Sequence, residues 1–299
     1  MNLTLTGASG FLGRVLAARL DASGHTVHML GRAPRAGMPP SARMSLWDPN
    51  LTAPPRESLR DADAVVHLAG EPVAQRWTPE VKRRIRDSRV EGTRRLVQGM
   101  AECGRPPAAL ICASAVGYYG NRGDEILREP AAPGQGFLSD VCVEWEGAAR
   151  EAEQLGVRVV CVRIGVVLGR DGGALEKMLL PFKLGVGGRM GSGKQWMPWI
   201  HIEDICRLFQ WAAENPNVKG PLNGASPNPV TNSEFSDSLG RALRRPAILP
   251  VPQAAIRLLY GEMSRILFDS QRVIPAAAAE AGFEFRHPAI YPALKDLLG

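Results

Sequence analysis

The chain has 299 residues, 45% of them apolar and 22% charged, which is ordinary for a globular protein of one large domain or two modest ones. No run approaches the ~18 apolar residues of a membrane span, and the N-terminus enters a strand instead of a signal peptide, so the expected location is cytoplasmic with no membrane partner. The net charge of +6 is partly local, in Lys82, Arg83, Arg84, Arg86 and Arg89 of one predicted helix; with no nucleic-acid module beside it, this reads as a solvated helix face and excludes nucleic acid as the expected partner.

The first predicted strand is Asn2–Leu5. Thr6-Gly7-Ala8-Ser9-Gly10-Phe11-Leu12-Gly13 follows, and then a helix over Arg14–Asp21 with Leu12, Val15, Leu16, Ala18 and Leu20 on its apolar face. Strand, glycine turn and helix in this order are the context that a dinucleotide site requires. Gly7 allows the tight turn, Gly10 allows a pyrophosphate to approach the backbone, and Gly13 allows the helix to lie close to the sheet. The open N–H groups of the helix start then face the anion. Gly7, Ser9, Gly10, Phe11, Leu12 and Gly13 are therefore candidate cofactor contacts.

The second strand, His25–Leu30, ends at Gly31-Arg32, with Arg35 close by. An NAD-preferring unit carries an acid about 20 residues beyond the glycines, to bind the ribose 2′-hydroxyl. Arg32 stands there instead, and a guanidinium suits a 2′-phosphate, so NADP(H) is the expected cofactor. Leu46–Pro49 reads as a short strand. Ala64–Gly70 reads as a buried parallel strand, with Ala69-Gly70 at its ligand-facing carboxyl end and His67 as a core histidine.

Thr78 and Pro79 open a long helix that runs to about Met100. The strand Ala108–Ala113 leads into Ser114-Ala115-Val116-Gly117-Tyr118-Tyr119-Gly120. A helix over 138–153 and the strand Val157–Arg163 complete an alternation that predicts a doubly wound parallel sheet, α/β, over 1–165. Beyond it, 166–299 reads as a smaller mixed substrate or lid domain, whose segments can cross back to the sheet. Gly188–Lys194 nearly matches a phosphate-binding loop, but Gln195 replaces the Ser/Thr and neither strand nor helix flanks it; it reads as a loop over a substrate site. A helix follows Trp199-Ile200-His201, a strand lies near Pro221, and Thr231–Glu234 reads as a capping box. Five scattered cysteines, Cys103, Cys112, Cys142, Cys161 and Cys206, read as free thiols, and no metal site is expected.

With the glycine turn, His67-Leu68-Ala69-Gly70-Glu71-Pro72, Ser114–Gly120 and the long motif Gly191–Ile202 in hand, the chain resembles an extended short-chain dehydrogenase/reductase. More narrowly, it resembles the epimerase-family subgroup of NADP-binding oxidoreductases with an extra C-terminal segment. The resemblance spans nearly all of residues 1–296. It implies that Leu68, Ala69 and Gly70 line the cofactor path, that Arg89 contacts a cofactor phosphate or ribose, and that the turn Arg163–Val167 borders the nicotinamide. It implies substrate contacts from Glu71, Arg76, Trp196, Trp199 and His201, and leaves room for a homodimer.

The general family works with a Ser, Tyr and Lys, the last two as Tyr-x-x-x-Lys. Here Gly136 stands at the Tyr position and Asp140 at the Lys position. A Gly exchanges no proton, and an Asp supplies no cation to lower a phenol pKa. Three readings stay open. Tyr118 or Tyr119 takes the proton role with Ser114 orienting the substrate; another group such as His201 or Glu71 does so; or the chain binds NADP(H) without turnover, as a regulator acting through a protein partner. The expected substrate of an enzyme on this plan is a small carbonyl or hydroxyl compound, or a nucleoside sugar.

Overall fold

The structure is a computed structural model that describes residues 1–33 and 38–299. Its elements run β1 (Asn2–Thr6), α1 (Phe11–Ala22), β2 (Thr26–Gly31), β3 (Arg43–Leu46), β4 (Ala64–His67), α2 (Pro79–Glu102), β5 (Ala109–Ala115), β6 (Ile126–Leu127), α3 (Phe137–Arg150) and β7 (Arg158–Ile164). They continue as β8 (Val166–Gly169), α4 (Gly173–Lys183), β9 (Trp196–Met197), β10 (Trp199–His201), α5 (Ile202–Glu214), β11 (Gly220–Gly224), β12 (Val230–Thr231), α6 (Asn232–Leu243), α7 (Gln253–Tyr260), α8 (Arg265–Phe268), β13 (Arg272–Val273), α9 (Ala276–Glu280) and α10 (Ile290–Leu298).

Seven strands form one parallel sheet in the order β11-β7-β5-β4-β1-β2-β3. The chain moves outward from β1 through α1 in one direction and from β4 through α2 in the other. Right-handed crossovers then put α1 and α2 on opposite faces. The order reverses between β1 and β4, and the carboxyl ends of these two strands form the crevice where open α/β sheets take ligands. The central strands are buried on both faces, as their apolar runs Ala64–Val66, Ala109–Ala113 and Val159–Val162 require.

The start signals behave as their chemistry dictates. Thr78 Oγ1 accepts from Val81 N at 3.2 Å, with Pro79 at the first turn of α2. Thr231 and Glu234 form the reciprocal capping box of α6. The basic run on α2 is largely paired: Arg83 meets Glu80 at 3.0 Å, Lys82 meets Glu262 at 2.7 Å, and Arg86 bonds Glu144.

Some boundaries differ from expectation. On α1 the buried residues are Gly13, Leu16, Ala17 and Leu20, while Val15 and Ala18 are exposed, because α5 packs on a narrower stripe than the sequence offers. The short strand is Arg43–Leu46, not Leu46–Pro49; Trp47 instead buries its ring and donates from Nε1 to Thr52 O at 2.8 Å. The helix expected to reach 153 leaves α-geometry at Arg150 and ends in a 3₁₀ turn over Glu151–Leu155.

The chain does cross back after residue 165. β11 pairs with β7 at the sheet edge, and α5 packs beside α1 and the central strands, so residues 202–224 belong to the sheet layer. The remaining C-terminal elements bury a second core of Leu168, Leu175, Phe182, Trp199, Phe235, Leu239, Leu294 and Leu297.

Candidate functional site

The turn after β1 is tight enough to exclude side chains at two positions. Gly7 has φ +69°, and a Cβ there would lie 2.6 Å from the carbonyl carbon of Leu68. A Cβ on Gly13 would lie 2.2 Å from Gly7 O. The first turn of α1 contains no acidic residue, and its N-cap, Gly10, has no side chain with which to cap it. Its backbone donors thus stand open to an anion beside exposed Ser9 and Gly10. Phe11 turns the other way and packs its ring under Gly169, Gly172 and Gly173.

β4 closes the other wall. The amides of Leu68 and Ala69 both donate to Thr6 Oγ1 at 3.2 Å. The Thr6 proton is then directed to His67 Nδ1, 2.7 Å away, and His67 Nε2 donates to Thr93 Oγ1 at 3.0 Å. This network assigns the neutral Nε2–H tautomer. Burial, reinforced by the charge of Arg89, lowers the His67 pKa to about 3. His67 is thus a core histidine that holds the Leu68-Ala69 turn in place.

A pH dependence follows. The folded protein keeps His67 neutral below pH 6.5, where the unfolded chain protonates it, so stability is complete above pH 6.5 and declines as pH falls toward 3. Between pH 6.5 and 5 this amounts to about 2 kcal/mol. Urea unfolding at both pH values should show that His67→Asn loses less stability across this interval than the wild type. Equal losses would place the acid sensitivity elsewhere.

Arg32 follows β2 directly and is exposed; Arg35 lies outside the described residues. Arg89 is committed to the protein: its Nη1 donates to Glu71 O at 3.0 Å and Ile85 O at 3.1 Å, and its guanidinium lies over the Trp145 ring and against Gly70. It braces the Gly70-Glu71 backbone from behind.

At the carboxyl ends of β5 and β7 lies a buried polar network. Arg163 and Glu146 form a bidentate pair, with Nε–Oε1 and Nη2–Oε2 both 2.8 Å. Ser114 Oγ donates to Glu146 Oε1 at 2.7 Å. Arg163 Nη1 donates to Tyr119 Oη at 2.9 Å, and Tyr119 Oη donates to Asn223 Oδ1 at 2.7 Å. The Arg163 guanidinium also lies 3.5 Å from the centre of the Tyr118 ring.

These partners sort the three candidate catalytic residues. Tyr119 has no exposed surface, its proton is engaged by Asn223, and burial pushes its pKa up despite Arg163. In this conformation it cannot exchange a proton with a ligand. Ser114 is buried and has its one proton on Glu146, so it can accept from a ligand but not donate. Tyr118 alone keeps part of its surface open.

The candidate substrate residues do not converge. Trp199 is fully buried in the second core, with Nε1 donating to Asn228 O, and so cannot touch a ligand here. His201 is buried and caps α5, its Nδ1 accepting from Glu203 N at 3.1 Å. Trp196 donates to Asp124 Oδ1 at 2.8 Å and stacks under Arg272. Glu71 accepts from Gln75 and faces Arg84 at 3.6 Å, whereas exposed Arg76 approaches Gly261. Val167 is half-buried in β8, beside Ile200.

His201, His287 and Asp296 bring potential metal-donor atoms within 4.8 Å of one another. The two rings are stacked, however, with centroids 3.7 Å apart and planes 22° apart. Their in-plane lone pairs run side by side instead of converging on one ion. All five cysteines are free and buried, and burial pushes the Cys142 thiol up to about 11.

Residues 3–223 match the model of the NAD dependent epimerase/dehydratase family. The chain belongs to that family. Residues 251–297 match a domain of unknown function, DUF1731. Over 303 residues the chain is 38% identical to the human epimerase family protein SDR39U1, covering all of both chains. It is 38% identical to the epimerase family protein YfhF of Bacillus subtilis, over all of this chain and 98% of that one. The crystal structure of human SDR39U1 (isoform 2) with NADPH superposes with a TM-score of 0.90 at 36% identity, covering all of this chain and 99% of the other.

Within this family fold, α3 is the helix expected to carry Tyr and Lys. Gly136 is its N-cap, with φ +104°, and Asp140 is exposed in its first turn. Sequence reading missed Glu146, Arg163 and Asn223 as a unit. The available signals were a charged residue at the end of an apolar strand and a carboxylate on the apolar face of α3.

Proposed function

We propose that the protein is an NADP(H)-dependent oxidoreductase or epimerase-like enzyme acting on a small carbonyl or hydroxyl compound, with Tyr118 serving where the usual Tyr and Lys are missing. The observation that carries this reading is the part-open Tyr118 stacked on the Arg163 guanidinium, at the carboxyl ends of β5 and β7, on the same edge of the parallel sheet as the glycine turn that follows β1. The cradle fits the cofactor, because Gly7 and Gly13 leave no room for a Cβ and α1 presents open donors. Gly7–Gly13 would hold the pyrophosphate, Arg32 the 2′-phosphate, and Leu68-Ala69 the wall beside it. When bound, NADP(H) supplies a hydride donor or acceptor. Tyr118 would hold the proton for the substrate oxygen. Ser114, locked on Glu146, would serve as an acceptor only.

A second reading, a silent NADP(H)-binding regulator, draws support from Gly136 and Asp140 on α3. One set of measurements separates the two. NADPH and NADH are titrated against wild type and Arg32→Ala, followed by a carbonyl and alcohol screen that includes Tyr118→Phe. Arg32→Ala should weaken NADPH by about 10- to 100-fold and leave NADH unchanged, as expected for one charge-assisted phosphate contact. Turnover in wild type and not in Tyr118→Phe supports the enzyme. Tight NADPH binding without any turnover supports the regulator, and binding of neither nucleotide sinks both.

A further inference from the structure

A groove of about 740 Å³ lies along one face of α6 and the turn that follows it, sharing no residue with the dinucleotide cradle. Four arginines line it. Arg241, Arg244 and Arg245 come from the end of α6 and the next turn, and Arg189 comes from the glycine loop between α4 and β9. Among the described residues, no ion pair engages any of the four, although Asp237 lines the same groove. Arg241 is held in place by stacking over the Tyr291 ring at 4.4 Å.

Two features separate this cluster from an ordinary charged surface. Cations are favoured at a helix carboxyl end by its dipole, which accounts for arginines in the last turn of α6. It does not account for Arg189, brought in by a different segment. That segment is fixed by backbone bonds from Val251 N to Arg189 O and from Gly191 N to Val251 O. The second feature is Arg244 itself. It sits at φ +54°, the one non-glycine residue in the left-handed region among the described residues. It closes the helix at a position glycine normally takes, and a strained backbone that keeps a long charged side chain points to a use for that side chain. Gly240 completes the arrangement: a Cβ there would lie 2.8 Å from Ala247 Cβ and from Arg245 O, so glycine lets the turn fold back and carry Arg245 to the groove.

We propose that this groove is a binding site for a ligand with two or more clustered phosphate groups, clamped between Arg189 and the Arg241–Arg245 turn. Guanidinium groups match phosphate oxygens bidentately, and several unpaired ones in one groove suit clustered phosphates better than a single carboxylate. Exposed Ile248 on its rim offers an apolar contact for the remainder of the ligand. Free diphosphate compounds and phosphorylated lipid headgroups share this chemistry. The inference goes beyond the proposed cofactor chemistry and does not depend on it.

Arg244→Gly makes the test clean, because it removes the side chain and relieves the left-handed backbone. Its melting temperature should equal or exceed that of the wild type. Inorganic pyrophosphate is titrated calorimetrically into wild type, Arg244→Gly and Arg189→Ala, with and without NADPH. Vesicles of phosphatidylcholine with and without a bisphosphorylated inositol lipid are sedimented with the same three proteins. Pyrophosphate binding that persists with NADPH present and weakens about tenfold or more in both variants supports the site with a free anion as its ligand. Cosedimentation with the phosphorylated vesicles, lost in both variants, supports it with a headgroup as the ligand. Equal binding by all three proteins, or no binding to either probe, overturns it. Failure of NADPH to bind would count against the cofactor reading and leave the comparison of the arginine variants intact.

Discussion

Replacing Glu146 with leucine should destabilise the protein by about 3–5 kcal/mol, read as a drop in the urea midpoint. The side chains of Arg163 and Glu146 are only 4% and 11% exposed, so water cannot replace the lost partner. Burial alone would lower the Arg163 pKa, but the hydrogen bonds and charge of Glu146 outweigh it and raise it. The substitution would leave a guanidinium buried with Tyr119 Oη and the Glu129 carbonyl as its remaining partners. It would also release Ser114 from its acceptor. The double variant Glu146→Leu with Arg163→Met should be markedly more stable than Glu146→Leu alone, because no buried charge is then stranded. If the single and double variants lose the same stability, the ion pair is not what holds this end of the sheet.

The same pair links stability to the proposed chemistry. Arg163 touches both tyrosines; Glu146, Tyr119 Oη and Glu129 O hold its guanidinium, and Ser114 and Asn223 in turn bond Glu146 and Tyr119. In the double variant the fold should survive while Tyr118 loses the cation against its ring. Turnover lost alongside intact NADPH binding would separate the proton-handling end of the site from the cofactor cradle.

How much of this was legible in the sequence depended on distance along the chain. The strand, turn and helix were, because they are contiguous over residues 2–22, although the close approach that Gly7 permits is to Leu68 and Ala69 of the neighbouring strand end. The parallel sheet was, because β4, β5 and β7 each carry an apolar run of three to five residues, with helices between them. Long-range pairing was not. Tyr119 reads locally as a candidate for the proton role in a glycine loop, and Arg163, 44 residues away, and Asn223, 104 residues away, close over its hydroxyl. Trp199 and His201 read as polar aromatics beside a flexible loop. They are buried by α6 and by Leu294, Leu297 and Asp296 of α10, which belong to the last ten residues. β11 begins with Gly220-Pro221 and carries Asn223, which hides its place in a buried sheet. The Arg163–Glu146 pair joins a strand end to a helix face, and no local periodicity encodes such a partnership.

The largest effect on cofactor binding should come from two neighbouring glycines that fail for different reasons. In Gly13→Ala the new methyl would sit 2.2 Å from Gly7 O, a backbone atom that cannot rotate away. Either α1 shifts off the sheet or the turn opens. Overpacking of this kind costs about 1–3 kcal/mol of stability. Moving the helix start also misaligns its donors, and losing two charge-assisted bonds to a pyrophosphate weakens binding on the order of 100-fold. Gly10→Ala places its methyl 3.3 Å from Gly7 O, a contact that a small adjustment accommodates. Gly10 is exposed at the mouth of the turn, with φ −73°, a backbone angle alanine adopts freely. Gly10→Ala should therefore keep the wild-type melting temperature yet lose NADPH affinity, because the methyl stands where the anion would approach. Gly13→Ala should lose both. If Gly10→Ala bound NADPH as the wild type does, the open donors of α1 would not be the pyrophosphate site. The phosphate would then have to be sought among the arginines, Arg32 first.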